Sequence, residues 1–217
     1  MTEPLPSDIV VAGYTPRYLA AFGALIGTEG GFVDDQADRG GATNHGVSLR
    51  FLKAAGAFDE DGDGFAEFDL DMDGDIDGQD IRKLTLADAK AVYVKFFWNP
   101  TGAEAMPQPI GEMVFDQAVN GGLVSARKLL QRALNTCLAD VTNDPARPPL
   151  LTIDGQLGSV SWRALGYVCN RGVTMLAIAY RHAAEDRYRA IAAANPSQIR
   201  FLNGWVTRAK ELGAWAR

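Results

Sequence analysis

Glu29, Asp38 and Thr43 are the residues whose types and spacing suit acid–base chemistry. Eight residues separate Glu29 from Asp38, and four separate Asp38 from Thr43. Glu29 follows an apolar, helix-like pattern, three and four residues beyond Ile26 and Leu25, and precedes Gly30-Gly31. A carboxyl at a helix end beside apolar side chains is desolvated. Its pKa rises, and it can serve as a general acid near neutral pH. Asp38 stands in a polar, Gly-rich stretch that favours the ionised form, suited to activating a water or stabilising positive charge on a sugar ring. The Thr43 hydroxyl is spaced to hold that water. Asp34 and Asp35 compete for the second-carboxylate role, but their turn context suits capping or solvation better. The plain structural alternative for Glu29 and Asp38 is two solvated surface carboxylates.

A second set of carboxylates suggests a metal ion. In 69–80, oxygen donors Asp69, Asp71, Asp73, Asp77 and Asp80 fall at positions 1, 3, 5, 9 and 12 of a calcium loop. Gly74 sits at position 6 for the sharp turn, Ile76 at position 8 as apolar anchor, and Asp75 at position 7 to ligate through its carbonyl. Position 12 departs from the EF-hand pattern, where Glu is usual. A weaker loop precedes it, with Asp59, Asp61 and Asp63 at positions 1, 3 and 5, Gly64 at 6, but Leu70 at 12. One structural Ca2+ is therefore expected at 69–80, with a second site possible at 59–70. Oxygen-only ligation suits calcium over zinc or a redox metal, and no cofactor for catalysis is implied. The alternative for both loops is a solvated acidic surface.

The elements that must position these groups are mostly helical. Tyr18, Leu19, Phe22, Leu25 and Ile26 recur at helical spacing, predicting a helix over 16–28 ended by Gly30-Gly31. Residues 32–48 are rich in Gly, Asp and Thr and predict turns or a small hairpin. A short helix is expected at 49–57. Thr85 and Asp88 form a capping-box signal for a helix that stops at Asn99-Pro100. Helices follow over 113–120, 125–138, 159–165, 173–194 and 202–215, with a Pro-rich loop at 143–151.

The formal charge of −6 is unevenly spread. Residues 59–80 hold 11 acidic side chains and no Lys or Arg, so the other 195 residues carry 16 acids against 21 bases. An acidic insert thus sits in a mildly basic body, and no nucleic-acid partner is expected. Two cysteines, Cys137 and Cys169, exclude a disulfide framework and a Cys-rich zinc module. No apolar run reaches 18 residues, so no membrane span is expected. The N-terminal residues lack a Sec-type signal pattern, which implies synthesis in the cytoplasm and another route out.

Several segments share a resemblance. Glu29-Gly30-Gly31-Phe32 and Gly40-Gly41-Ala42-Thr43-Asn44-His45-Gly46 resemble the opening of glycoside hydrolase family 108 N-acetylmuramidases, of the phage endolysin and secretion-activator type. The Glu29, Asp38, Thr43 spacing is also similar to that of phage-type lysozymes, with one residue fewer before the Thr. Leu84-Thr85, Ala89, Tyr93 and Trp98 resemble the family's next helix, and Phe115-Asp116-Gln117-Ala118-Val119-Asn120 a later one. Residues 128–134, 154–158 and 201–205 resemble its predicted peptidoglycan-binding region and closing helix. The insert at 59–80 and the loop at 139–152 are departures from the family pattern.

The resemblance implies a predominantly α, lysozyme-like α+β fold, with a small β/turn region beside the catalytic helix. It implies a catalytic lobe over 1–109 and a helical lobe over 110–217, packed as one unit. It implies cleavage of the β-1,4 bond between N-acetylmuramic acid and N-acetylglucosamine, with Glu29 as acid and Asp38 and Thr43 acting on water or the transition state. His45, Gln117 and Asn120 become candidate sugar contacts, against local turn and helix-end packing as alternatives. Peptidoglycan is the expected partner of a monomer, reached in the periplasm or wall after release or holin-type export; a mildly basic body suits this anionic polymer. Competing readings are a non-catalytic, calcium-stabilised peptidoglycan-binding protein, a zinc amidase and a calcium sensor. The amidase is short of ligands, with only His45 and His182. The sensor lacks a paired hand.

Overall fold

The structure, a computed structural model, describes residues 13–27, 32, 41–56, 59 and 62–216. Among the described residues it is predominantly helical with one two-stranded sheet, and the chain clusters into two compact units, 1–96 and 97–217. The boundary falls inside a π-helical segment, Val94–Trp98.

In the first unit, α1 (Pro16–Ile26) starts where Thr15 Oγ1 accepts from the Tyr18 N–H at 3.0 Å, with Pro16 at the first helical position. Tyr18, Ala21 and Phe22 are buried, and Phe22 meets Tyr93 edge-on at 5.5 Å. The Tyr18 hydroxyl donates to the Lys90 carbonyl at 2.5 Å. The helix ends at Ile26 rather than at residue 28, because Gly27 takes φ +63° and returns its N–H to the Gly23 carbonyl. The helical phase that would carry Glu29 alongside Leu25 and Ile26 therefore stops at Gly27.

Strands β1 (Thr43–Asn44) and β2 (Val47–Ser48) pair antiparallel, Thr43 with Ser48 and Asn44 with Val47. The turn residues His45 and Gly46 both have positive φ, +48° and +76°, the signature of a type I′ hairpin. Ser48 then caps α2 (Leu49–Ala55) by accepting from the Phe51 N–H.

The Asp-rich segment leads into α3 (Gly78–Lys83) and α4 (Leu86–Tyr93). The Thr85–Asp88 capping box forms as its sequence pattern requires. Ile76, expected to anchor the insert, is only half-buried; Phe68, Leu70 and Ile81 are the buried anchors. Phe68 packs against Phe96 at 5.7 Å and fills the space over Gly56, where a Cβ would lie 2.1 Å from Phe68 Cδ2. Gly56→Ala is therefore expected to destabilise by about 1–3 kcal/mol, as overpacking does. Calorimetry should show a Tm several degrees lower, at roughly 2–4 °C per kcal/mol for a chain this size.

In the second unit, Asn99-Pro100 does not end the helical run. The π-helical turn leads into α5 (Asn99–Thr101), where Pro100 is tolerated in a first turn, and left-handed Gly102 ends it. α6 (Ile110–Gly121) and α7 (Leu123–Ala139) are separated by Gly122 at φ +84°. The long segment α8 (Ser159–Ala194) is broken at Gly172 alone, so residues 166–171 are helical where the sequence had suggested a gap. α9 (Leu202–Glu211) closes the core. Met113, Leu130, Leu134, Leu176 and Tyr180 pack at its centre, and Trp98 meets Phe115 edge-on at 5.3 Å. Cys137 and Cys169 are free thiols, and burial pushes Cys169 up to about 11.

Between α7 and α8 the chain has little regular structure, yet two α7 amides pin it. Gln131 Nε2 donates to Asp154 Oδ1 and to the Gln156 carbonyl, while its Oε1 accepts from the Gly155 N–H at 2.8 Å. Asn135 exchanges two bonds with the Leu151 backbone at 2.7 and 2.8 Å. These side chains satisfy loop backbone that a strand partner would otherwise satisfy.

Candidate functional site

The hairpin is the part of the expected site that the structure describes. Glu29, Asp38, Asp34 and Asp35 lie outside the described residues. Half-buried Thr43 donates its hydroxyl to the Gly41 carbonyl at 3.4 Å. Asn44, 6% exposed, donates from Nδ2 to the carbonyls of Ile81 and Leu84, both at 3.0 Å. His45 is half-buried at the first turn position. Gly46 lies on Tyr93: a Cβ there would be 2.5 Å from the Tyr93 hydroxyl and 3.3 Å from Ile26 Cδ1.

This last contact matters for the segment that carries the carboxylates. Ile26 is the final residue of α1, and Gly46 follows Thr43 by three residues. Ile26 and Gly46 thus approach each other at Tyr93. Sequence reasoning missed both Asn44 and Tyr93 as supports. The signal lay in the motif itself, since an Asn flanking a tight turn has two amide donors to place.

Of the expected sugar contacts on α6, Asn120 is exposed and Gln117 is 1% exposed. Asn120 Nδ2 donates to the Asp116 carbonyl at 2.8 Å. The Gln117 amide and the Tyr188 hydroxyl hydrogen-bond inside the core, tying α6 to α8. Arg208 holds the Asp116 carboxylate through two bonds, at 2.8 and 3.2 Å.

The carboxylates of the acidic loop form two groups, where the loop spacing called for one converging set. Oxygens of Asp69, Asp71 and Asp73 lie within 4.8 Å of one another, as do those of Asp75, Asp77 and Asp80. Asp69 is 4% exposed, and its carboxylate accepts from the Asp73 and Gly74 N–H groups. Asp80, 1% exposed, accepts from the Leu70 and Asp77 N–H groups and closes the N-terminal box of α3. Asp71 Oδ1 is buried with no hydrogen-bond partner. Desolvation first, then the neighbouring Asp80 and Asp73, raise the Asp71 pKa; desolvation also raises Asp80, opposed by its backbone donors. A buried, unpaired carboxylate oxygen among like charges is the donor a hard cation would satisfy. In the weaker loop, Asp59 accepts from the Gly62 and Gly64 N–H groups and Asp63 from Phe65, whereas Asp61 lies outside the described residues.

Residues 22–122 match the family described as glycosyl hydrolase 108, and residues 125–210 match one described as a predicted peptidoglycan domain. The chain belongs to the glycosyl hydrolase 108 family. This glycosyl hydrolase is a peptidoglycan hydrolase of the N-acetylmuramidase type, and peptidoglycan is its substrate. The junction of the two matches falls where Gly122 separates α6 from α7. The fold of this hydrolase, predominantly α and lysozyme-like, resembles that of SagA from Brucella abortus. That structure aligns with a TM-score of 0.65 at 22% identity, covering 92% of this chain and 93% of that one. No curated protein matches the hydrolase. Among the described residues, no helix is long and apolar enough to cross a membrane.

Proposed function

We propose that this muramidase cuts the β-1,4 bond between N-acetylmuramic acid and N-acetylglucosamine with Glu29 as general acid. The Glu29 carboxyl gives its proton to the glycosidic oxygen as the bond to the muramic acid C1 breaks. Asp38 and Thr43 position the water that adds at C1, or stabilise the oxocarbenium-like transition state. The observation that supports this reading is that Ile26 and Gly46, which precede and follow the stretch carrying Glu29 and Asp38 in sequence, approach each other at Tyr93. Asn120 and His45 are the sugar contacts, and Gln117 supports α6 from within through Tyr188. Catalysis belongs to the lobe up to residue 109, and the helical lobe from 110 recognises the wall.

The acidic loop 69–80 holds one Ca2+ through Asp69, Asp71, Asp73, Asp77 and Asp80 and the Asp75 carbonyl, with a second ion possible at Asp59, Asp61 and Asp63. The ion is structural and takes no part in bond cleavage. The enzyme acts as a monomer on peptidoglycan of the periplasm or wall, which it reaches after release or holin-type export.

Product analysis tests the bond assignment. A digest of purified peptidoglycan, reduced with borohydride and read by mass spectrometry, is expected to carry muramitol ends. N-acetylglucosaminitol ends, or intact glycan with new peptide termini, would overturn it.

A further inference from the structure

A two-residue, two-stranded hairpin has little stability of its own, so the position of Thr43 depends on what grips β1 and β2. Val47 and Ala42 are buried against the unit, and Gly46 rests on Tyr93. These contacts are apolar or steric. The directional grip described above is the Asn44 amide on the Ile81 and Leu84 carbonyls.

Those two carbonyls belong to the C-terminal end of α3, where the last carbonyls of a helix have no intrahelical partner. Leu84 is the cap residue itself, its N–H returned to the Asp80 carbonyl at 2.9 Å. The amide of Asn has two N–H donors, and each is placed on one of these carbonyls. Adjacent strand residues point to opposite faces of a sheet, so when Asn44 reaches inward, Thr43 is turned the other way. The bond pair thus fixes the height and the rotation of β1 at the residue next to Thr43. At the other end, α3 is held by Asp77, which caps it, and by Asp80, which reaches back to the Asp77 and Leu70 N–H groups.

We infer that Asn44 is a positioning residue of the hydrolase: it locks the hairpin onto the end of α3 and so sets where the Thr43 hydroxyl stands. The inference rests on the reading of Thr43 as part of the catalytic set. It extends that reading to a residue that touches no substrate, and it makes α3 the platform of the site.

A double-mutant cycle tests it. Wild type, Asn44→Ala, Thr43→Ala and the double variant are assayed on solubilised peptidoglycan well below each melting temperature, with kcat and KM measured separately. Misplacement of a reacting group by about 1 Å costs on the order of 100-fold. Asn44→Ala is therefore expected to lose about 10- to 100-fold in kcat with KM held within about twofold. The double variant is expected to be no slower than Thr43→Ala alone. A purely structural Asn44 would lower the melting temperature and leave kcat of the folded enzyme unchanged. That result, or losses that multiply in the double variant, would overturn the inference. Should Asn44→Ala fail to fold, Asn44→Ser, which keeps one donor, replaces it under the same criteria. A Thr43→Ala variant as fast as wild type sinks the role of Thr43 separately; kcat of Asn44→Ala then decides whether Asn44 positions the hairpin at all.

Discussion

Glu29→Gln is expected to abolish peptidoglycan turnover while leaving a folded protein that still binds the wall. General acid catalysis contributes about 10²- to 10⁴-fold to a rate, and an amide of the same shape cannot supply the proton. The substitution replaces the acidic –OH with a non-ionisable –NH2 and leaves side-chain volume nearly unchanged. Residues 125–210, matched as a predicted peptidoglycan domain, do not include Glu29. Clearing of a cell-wall suspension should therefore fall by two or more orders of magnitude, while pelleting with insoluble peptidoglycan and the melting temperature stay as in wild type. Asp38→Asn is expected to be slower by a smaller factor if Asp38 only orients water. Clearing by Glu29→Gln at the wild-type rate would remove Glu29 from the chemistry. It would return the protein to the reading of a wall-binding module or shift the acid to another carboxylate.

Chelation is the second large effect. A ligand that binds only the folded state stabilises it by about 4 kcal/mol at a thousandfold excess over Kd. For a chain of this size that corresponds to roughly 8–16 °C in Tm. EDTA is expected to lower the first melting transition, and added calcium to restore it. The acidic loop supplies a sharper version of the test. Asp71 combines a buried, unbonded oxygen with repulsion from Asp80, Asp73 and Asp69. Asp71→Asn relieves that repulsion when no ion is bound, so in EDTA it should melt higher than wild type. With calcium present it should melt lower than wild type, because one ligand is gone. The crossing of the two orders is the expected result. Identical melting curves with and without EDTA would sink the calcium assignment. The buried anchors Phe68, Leu70 and Ile81 predict that the insert keeps part of its structure in EDTA, so the shift should be a lower Tm, not loss of the transition.

What the sequence made legible were the signals that act locally. The Thr85–Asp88 box and the turn residues before Val47 each need only neighbours to form, and both appear where the pattern places them. The misjudged points depended on distant partners or on competing local choices. Gly27 ended α1 ahead of the Gly30-Gly31 pair, because a single glycine free to take positive φ suffices. Pro100 was absorbed by a π-helical turn, which no residue pattern announced. Gly166 and Asn170 sit inside α8, and their helix-weakening character was overridden by the packing of Leu165 and Val168. Within the candidate site, Thr43 and Asn44 could be marked as a motif, but the grip of Asn44 on residues 37 and 40 positions away could not. Burial of Gln117 was equally invisible, since an amide in a helix reads the same whether it faces water or Tyr188.

The two α7 amides that pin the chain at 151–156 also create an engineering port. Gln131 and Asn135 hold the loop downstream of its exposed bend at Thr142 and Asn143. Extra chain spliced between those two residues leaves every one of these bonds in place. The loop-closure cost of such an addition grows only logarithmically, by about 0.6 kcal/mol for each doubling of length. A fluorescent reporter or a second wall-targeting module can therefore be carried at that point, within the folded enzyme and not on either of its ends.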